Sequence, residues 1–110
     1  IYSGNDDQIV PIMSLGGKGV ISVLANCLPA ETHEIASYCL EGDYKKAAEL
    51  QLRLLEFTND LFIDVNPIPV KEALNIMGKN VGECRLPLIR MGDAKIAKLF
   101  SSMEKLGLTK

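Results

Sequence analysis

Gly16-Gly17-Lys18-Gly19-Val20-Ile21-Ser22-Val23-Leu24 is the stretch on which the fold turns. Residues 20–24 are apolar except for Ser22 and mostly β-branched, and glycines precede them. That pattern predicts a strand buried on both faces, as in a parallel sheet. Its shortness and its glycine flank weigh against a buried helix. Ile1-Tyr2-Ser3 reads as the stub of a second strand. Two strands alone make a marginal sheet, and parallel strands need both faces covered. The expectation is therefore the later part of a larger β/α enzyme whose front part lies before Ile1.

Helical signals surround this stretch. Gly4 allows an unusual backbone, and Asn5, Asp6 and Asp7 are good N-cap residues for a short helix over about 8–15. Pro11 is the flaw in that helix and is expected in or near its first turn, or else to kink it, and Gly16-Gly17 stops the helix. Pro29 suits a first helical position, with Ile35, Ala36, Cys39 and Leu40 as the apolar stripe and Gly42 as the stop. Asp43 caps a long helix with two stripes. One is Ala47, Leu50, Leu54, Phe57 and Leu61; the other is Ala48, Leu52, Leu55 and Phe62. A helix apolar on two sides is expected between two neighbours. Asn66 caps a fourth helix, with Pro67 first and Pro69 in the first turn. Ala73, Leu74 and Met77 point inward there, and Gly78 ends it. Residues 79–92 form a connection. The last helix starts at Asp93, buries Ile96, Leu99, Phe100, Met103 and Leu106, and stops at Gly107.

The bulk composition excludes several function classes. A chain of 110 residues with 47% apolar side chains can build one modest core, and with only 5% aromatics that core is aliphatic. A net charge of −2 gives no electrostatic case for nucleic acid or an anionic membrane. No apolar run is long enough to span a bilayer. Cys27, Cys39 and Cys84 are odd in number and lack CxxC spacing, which argues against a disulfide scaffold or a zinc site and favours a reducing cytoplasm.

Most chemistry-bearing residues have an ordinary reading. Gly16-Gly17-Lys18-Gly19 precedes its strand and no Ser or Thr follows Lys18, so it is a tight turn and not a phosphate loop. Asp6 and Asp7 could be an acid/base pair, but adjacent carboxylates at a helix start more often cap it. The end of a barrel strand also faces an active site, so both roles are compatible. A Schiff-base lysine needs a desolvated pocket. Lys18 lies at the wrong end of its strand for that, and Lys71 sits on a helix after a proline turn. His33, among Glu31, Thr32 and Glu34, has no paired ligand or nucleophile and reads as a surface residue. No nucleophile–base–orienter set emerges, and neither metal nor cofactor is implied.

Four segments together carry a resemblance: Ser3-Gly4-Asn5-Asp6-Asp7, residues 19–26 (Gly-Val-Ile-Ser-Val-Leu-Ala-Asn), Glu41-Gly42-Asp43 and Asn66-Pro67-Ile68-Pro69-Val70-Lys71. In this order and over essentially the whole chain they resemble the dihydrodipicolinate (4-hydroxy-tetrahydrodipicolinate) synthase family. That family sits within the wider N-acetylneuraminate lyase group of class I aldolases. The resemblance implies an α/β fold, the C-terminal part of a (β/α)8 TIM barrel. Residues 1–42 would be its last two β/α units, strands seven and eight with their helices, and residues 43–110 an appended helical extension. It implies a lyase of lysine and diaminopimelate biosynthesis, cytoplasmic and homotetrameric. Pyruvate forms a Schiff base with a lysine, and the enamine condenses with aspartate semialdehyde. That lysine and the family's tyrosine proton relay would lie before Ile1, so this stretch alone would be inactive. By the same resemblance Gly4, Asn5, Asp6, Ile21 and Ser22 line the substrate site. Many relatives have Asp where this chain has Asn5, which leaves a hydrogen-bonding role there. Two other readings stand beside it: a sister aldolase with another acceptor aldehyde, and a silent helical module that self-associates.

Overall fold

In a computed structural model, residues 1–109 are described. They form two compact units, Ile1–Thr58 and a second beginning at Asn59. The helices are α1 (Ile9–Ser14), α2 (Pro29–Leu40), α3 (Tyr44–Asp60), α4 (Ile68–Ile76) and α5 (Asp93–Lys105), with single 3-10 turns at Asp6–Gln8 and Leu24–Asn26.

Proline and glycine set the helix ends much as expected. Pro11 falls third in α1, where its missing N–H would have had no intrahelical partner. Pro29 opens α2. Past the end of α2, Gly42 adopts φ +82°, which lets Asp43 N–H reach the Tyr38 carbonyl at 2.8 Å and Gly42 N–H the Cys39 carbonyl at 3.1 Å. Gly107 closes α5 with the same pair of bonds, to Met103 and Glu104. Asp43 then accepts the Lys46 N–H at 3.2 Å and caps α3.

In the first unit α1 packs on α2, and the 3-10 turn Leu24–Asn26 packs on α2 as well. Ile9, Met13, Leu24, Cys27, Leu28, Ile35, Cys39, Ala47, Leu54 and Phe57 are its buried apolar residues. Complete burial of a side chain such as Leu54 or Phe57 contributes about 2 kcal/mol. In the second unit α4 packs on α5. Its buried residues include Leu61, Ile68, Val70, Ala73, Leu99 and Met103. The connection after α4 is tethered by polar side chains. Asn75 accepts Val81 N–H and donates to the Gly82 carbonyl, both at 2.9 Å, and Glu72 holds Arg90 through two bonds of 2.8 and 3.1 Å.

Five expectations need correction. The strand over 20–24 shrinks to one parallel bridge, Ser3 to Val20, and Val23 is already in a helical conformation. The reason is local: the N–H groups of Val23 and Leu24 are taken by the Asp6 carboxylate rather than by a neighbouring strand. Ile21, expected inside, is 77% exposed. Among the described residues the second stripe, which runs from α3 to Phe62 just past its end, is left uncovered: Leu52 is 67% and Phe62 45% exposed. Ala48, Leu52 and Leu55 instead line an open apolar groove with Val10 and Pro11. Asn66 does not cap α4. Pro67 occupies the cap position, makes no side-chain cap bond, and follows a cis peptide. On α5, Leu99 and Met103 are buried as expected, but Phe100 is not, and Ser102 takes an interior place by donating to the Leu99 carbonyl at 3.0 Å.

Candidate functional site

The two extended segments run parallel for one bridge. Lys18 N–H donates to Ile1 O, Ser3 N–H to Gly19 O and Ile21 N–H to Ser3 O, each at 2.8 Å. Just beyond, the first segment bends. Ser3 Oγ donates to Asn5 O at 2.7 Å and accepts Asn5 N–H at 3.2 Å. This local side-chain turn competes with any continuation of the strand. It swings Asp6 inward to 2% exposure.

Asp6 then organises the second segment. Its carboxylate accepts Ser22 Oγ–H, Val23 N–H at 3.0 Å and Leu24 N–H at 2.9 Å. Ser22 Oγ in turn accepts Ala25 N–H at 2.9 Å. The cap residue of the Leu24–Asn26 turn, Val23, has no side chain able to satisfy the turn's first N–H groups. Asp6 supplies that cap from 18 positions upstream. A carboxylate is an acceptor-only group, and three donors suit its two oxygens.

The five residues expected at a site thus converge on one end of the parallel pair. Asp6 and Ser22 bond directly. Gly4 and Asn5 follow the bridged Ser3, and Ile21 follows the bridged Val20. Gly4, Asn5 and Ile21 are exposed, and a Cβ added at Gly4 would meet nothing within 4 Å. The result is a buried, hydrogen-bonded carboxylate beneath an open surface on which Ile21 is exposed. Asp7 does not share in it: it is exposed, and the three donors all go to Asp6. The capping expectation for Asp6 is therefore redirected, from its own helix to a distant turn.

The other polar residues lie elsewhere. Lys18 is exposed at the opposite end of the pair. Lys71 Nζ donates to Glu83 O at 3.3 Å. His33 is exposed and lies 3.3 Å from Ser37 Oγ. Burial pushes the Cys27 thiol up to about 11 and raises Cys39 too, so both stay protonated and unreactive near neutrality. Among the described residues no cluster of three His, Cys, Asp or Glu side chains is placed to hold a metal ion, and no helix is long and apolar enough to cross a membrane. Sequence reasoning missed Gln51, whose side chain donates to the Asp6 carbonyl at 3.1 Å. Its signal was a polar residue at core register, four after Ala47 and three before Leu54.

Residues 1–106 match the model of the Dihydrodipicolinate synthetase family. The chain belongs to this family. It is 68% identical to the 4-hydroxy-tetrahydrodipicolinate synthase of Caldicellulosiruptor bescii over 84% of its length, which is 32% of that protein. It is 56% identical, over its whole length, to the synthase of the same name from Thermoanaerobacter pseudethanolicus, covering 37% of it. The crystal structure of dihydrodipicolinate synthase from Aquifex aeolicus superposes with a TM-score of 0.94 at 42% identity, over 98% of this chain and 37% of that one. The chain thus spans about a third of the length of the curated relatives it matches. The helical order described above is shared with the matching third of the Aquifex aeolicus structure.

Proposed function

We propose that the polypeptide bearing these residues is a lyase that condenses pyruvate with L-aspartate semialdehyde, giving 4-hydroxy-tetrahydrodipicolinate for lysine and diaminopimelate biosynthesis. The names of the relatives support the activity. The observation that carries the site is the Asp6 carboxylate, which gathers Ser22, Val23 and Leu24 beneath the open end of a parallel pair. Catalytic sites of β/α barrels collect at that end of the strands. In this reading residues 1–42 supply the last two β/α units of the barrel, and residues 43–110 the helical extension.

The reaction joins the pyruvate carbonyl to a lysine amine with loss of water. The protonated imine draws electrons from the methyl group, a proton leaves, and the enamine carbon attacks the aldehyde, whose oxygen takes up a proton. The amine of the aspartate semialdehyde then adds to the regenerated imine, closes the ring and releases the lysine as the free amine. Gly4 and Asn5 border the adduct where no side chain obstructs it. Ile21 forms the dry wall that keeps the imine from hydrolysis. Asp6 acts by holding Ser22 and the following amides in place. Lys18 and Lys71 are badly placed for the nucleophile; in this reading, which rests on the family resemblance, that lysine lies outside residues 1–110. The enzyme works in the cytoplasm as a homo-oligomer without metal or cofactor.

The test is turnover of the two substrates by the complete protein. The expected outcome is condensation by the complete protein, loss of at least about tenfold in kcat/KM for pyruvate in Ile21→Asp, which puts a charge on the apolar wall, and no turnover by residues 1–110 alone. Turnover by the isolated 110-residue chain, or none by the complete protein, would overturn the proposal. A self-association reading gains support from Ile1, Ile21 and Leu52, which are 92%, 77% and 67% exposed. Light scattering that finds the isolated chain monomeric would remove it.

A further inference from the structure

Gln51 is a polar side chain at a core position of α3. It is 7% exposed, between the buried Ala47 and Leu54 on the same face. A buried amide is costly unless its hydrogen bonds are made. Gln51 makes two, and they go to different places. Its Oε1 accepts Val10 N–H at 2.8 Å, and its Nε2 donates to Asp6 O at 3.1 Å. The orientation of the amide is dictated by these partners: turned over, it would set N–H against N–H and oxygen against oxygen.

Both bonds meet a need that local sequence leaves open. Val10 is the second residue of α1, so its N–H has no acceptor within the helix. The cap residue, Gln8, makes no side-chain cap bond. Gln51 supplies the acceptor from 41 positions away. Its second bond holds the backbone of Asp6, whose carboxylate assembles the candidate site. A chain of direct hydrogen bonds therefore runs from α3 through Gln51 and Asp6 to Ser22, Val23 and Leu24.

We infer that Gln51 is a positioning residue for the candidate site: it fixes the Asp6 backbone and, through the Asp6 carboxylate, the Ser22–Val23–Leu24 segment. It touches no substrate. The kinetic part of this inference rests on the reaction proposed above; the structural part does not. Misplacing a substrate-bordering group by a fraction of an ångström slows a reaction without unfolding the protein. Gln51 is thereby the means by which α3, remote in sequence, sets the geometry of a site built from the first two dozen residues.

Two variants of the complete protein separate the bonds. Gln51→Leu removes both. Gln51→Glu keeps an acceptor for Val10 N–H, but an ionised carboxylate has no proton to give the Asp6 carbonyl. Amide hydrogen exchange at Val10, Val23 and Leu24 is the first readout. The expected result is exchange at least about tenfold faster at all three in Gln51→Leu, and at Val23 and Leu24 but not Val10 in Gln51→Glu. The second readout is steady-state kinetics, where both variants are expected to lose about tenfold in kcat/KM for pyruvate, mostly through KM. Faster exchange confined to Val10 and the rest of α1, with kinetic constants per folded enzyme unchanged, would reduce Gln51 to a helix cap and overturn the inference. If Gln51→Leu does not fold, Gln51→Glu carries the comparison. If the unsubstituted protein does not condense the two substrates, the proposed function fails, while hydrogen exchange still decides the role of Gln51.

Discussion

Asp6→Ala is expected to destabilise the first unit by about 3 kcal/mol, among the largest effects of any single change there, because it strands buried donors. The N–H groups of Val23 and Leu24 and the hydroxyl of Ser22 all lose their acceptor. Leu24 is 1% exposed, so water cannot readily replace the carboxylate. Asp6→Asn keeps one acceptor oxygen but turns an NH2 toward the donors, so it is expected to lose about 2 kcal/mol. Ser22→Ala is the control. It leaves both backbone N–H groups bonded to Asp6 and is expected to cost only about 1 kcal/mol. Urea unfolding midpoints at unchanged slope measure all three. Equal losses for Asp6→Ala and Ser22→Ala would show that the carboxylate does not cap the Leu24–Asn26 turn.

Lys98→Ala is expected to weaken the second unit by about 2–3 kcal/mol. Asp60 is fully buried, Lys98 Nζ is the partner of its Oδ1, and its Oδ2 has no hydrogen-bond partner. Taking away the ammonium leaves a buried charge with nothing to balance it. The Lys98 side chain is 58% exposed, which places the loss below the top of the range for buried pairs. The double change Asp60→Leu with Lys98→Met removes the charge along with its partner. It is expected to recover stability to within about 1 kcal/mol of the original. Thermal unfolding of the single and double variants gives the comparison. A Lys98→Ala protein as stable as the parent would mean that the pair carries no load. The neighbouring Lys95–Asp64 pair, 3.4 Å apart, is more exposed and matters less. The Asp64 carboxyl is held below its ordinary value first by the Val65 N–H and then by Lys95. Its small contribution is therefore present above the unfolded carboxylate pKa and fades as pH falls through the lowered folded value.

The helices were legible because their punctuation is chemical. Pro29 can only open α2, and Gly42 is the residue that tolerates the left-handed turn closing it. The run 20–24 was misread because its β-branched composition reports a preference, while the outcome depended on an acceptor elsewhere. Asp6 captures Val23 and Leu24, and no pattern within 20–24 reveals it. The same residue illustrates what was visible at the site. Gly4, Asn5, Asp6, Ile21 and Ser22 could be singled out, and the structure gathers them at one end of the parallel pair. Their division of labour could not be read, since Asp6 and Asp7 look alike in sequence and differ only in which one the Ser3 turn swings inward. Gln51 escaped because a glutamine inside an amphipathic helix reads as a flank until its partners are known. Leu52 and Phe62 show the converse: periodicity marks a face as apolar without saying what covers it.

The most direct test of the central claim, that these residues border a pyruvate adduct and do not form it, is peptide mapping of the complete protein after pyruvate and borohydride. The expected result is one reduced adduct on a lysine outside residues 1–110, with Lys18 and Lys71 unmodified. An adduct on any lysine within residues 1–110, Lys18 and Lys71 included, would contradict it.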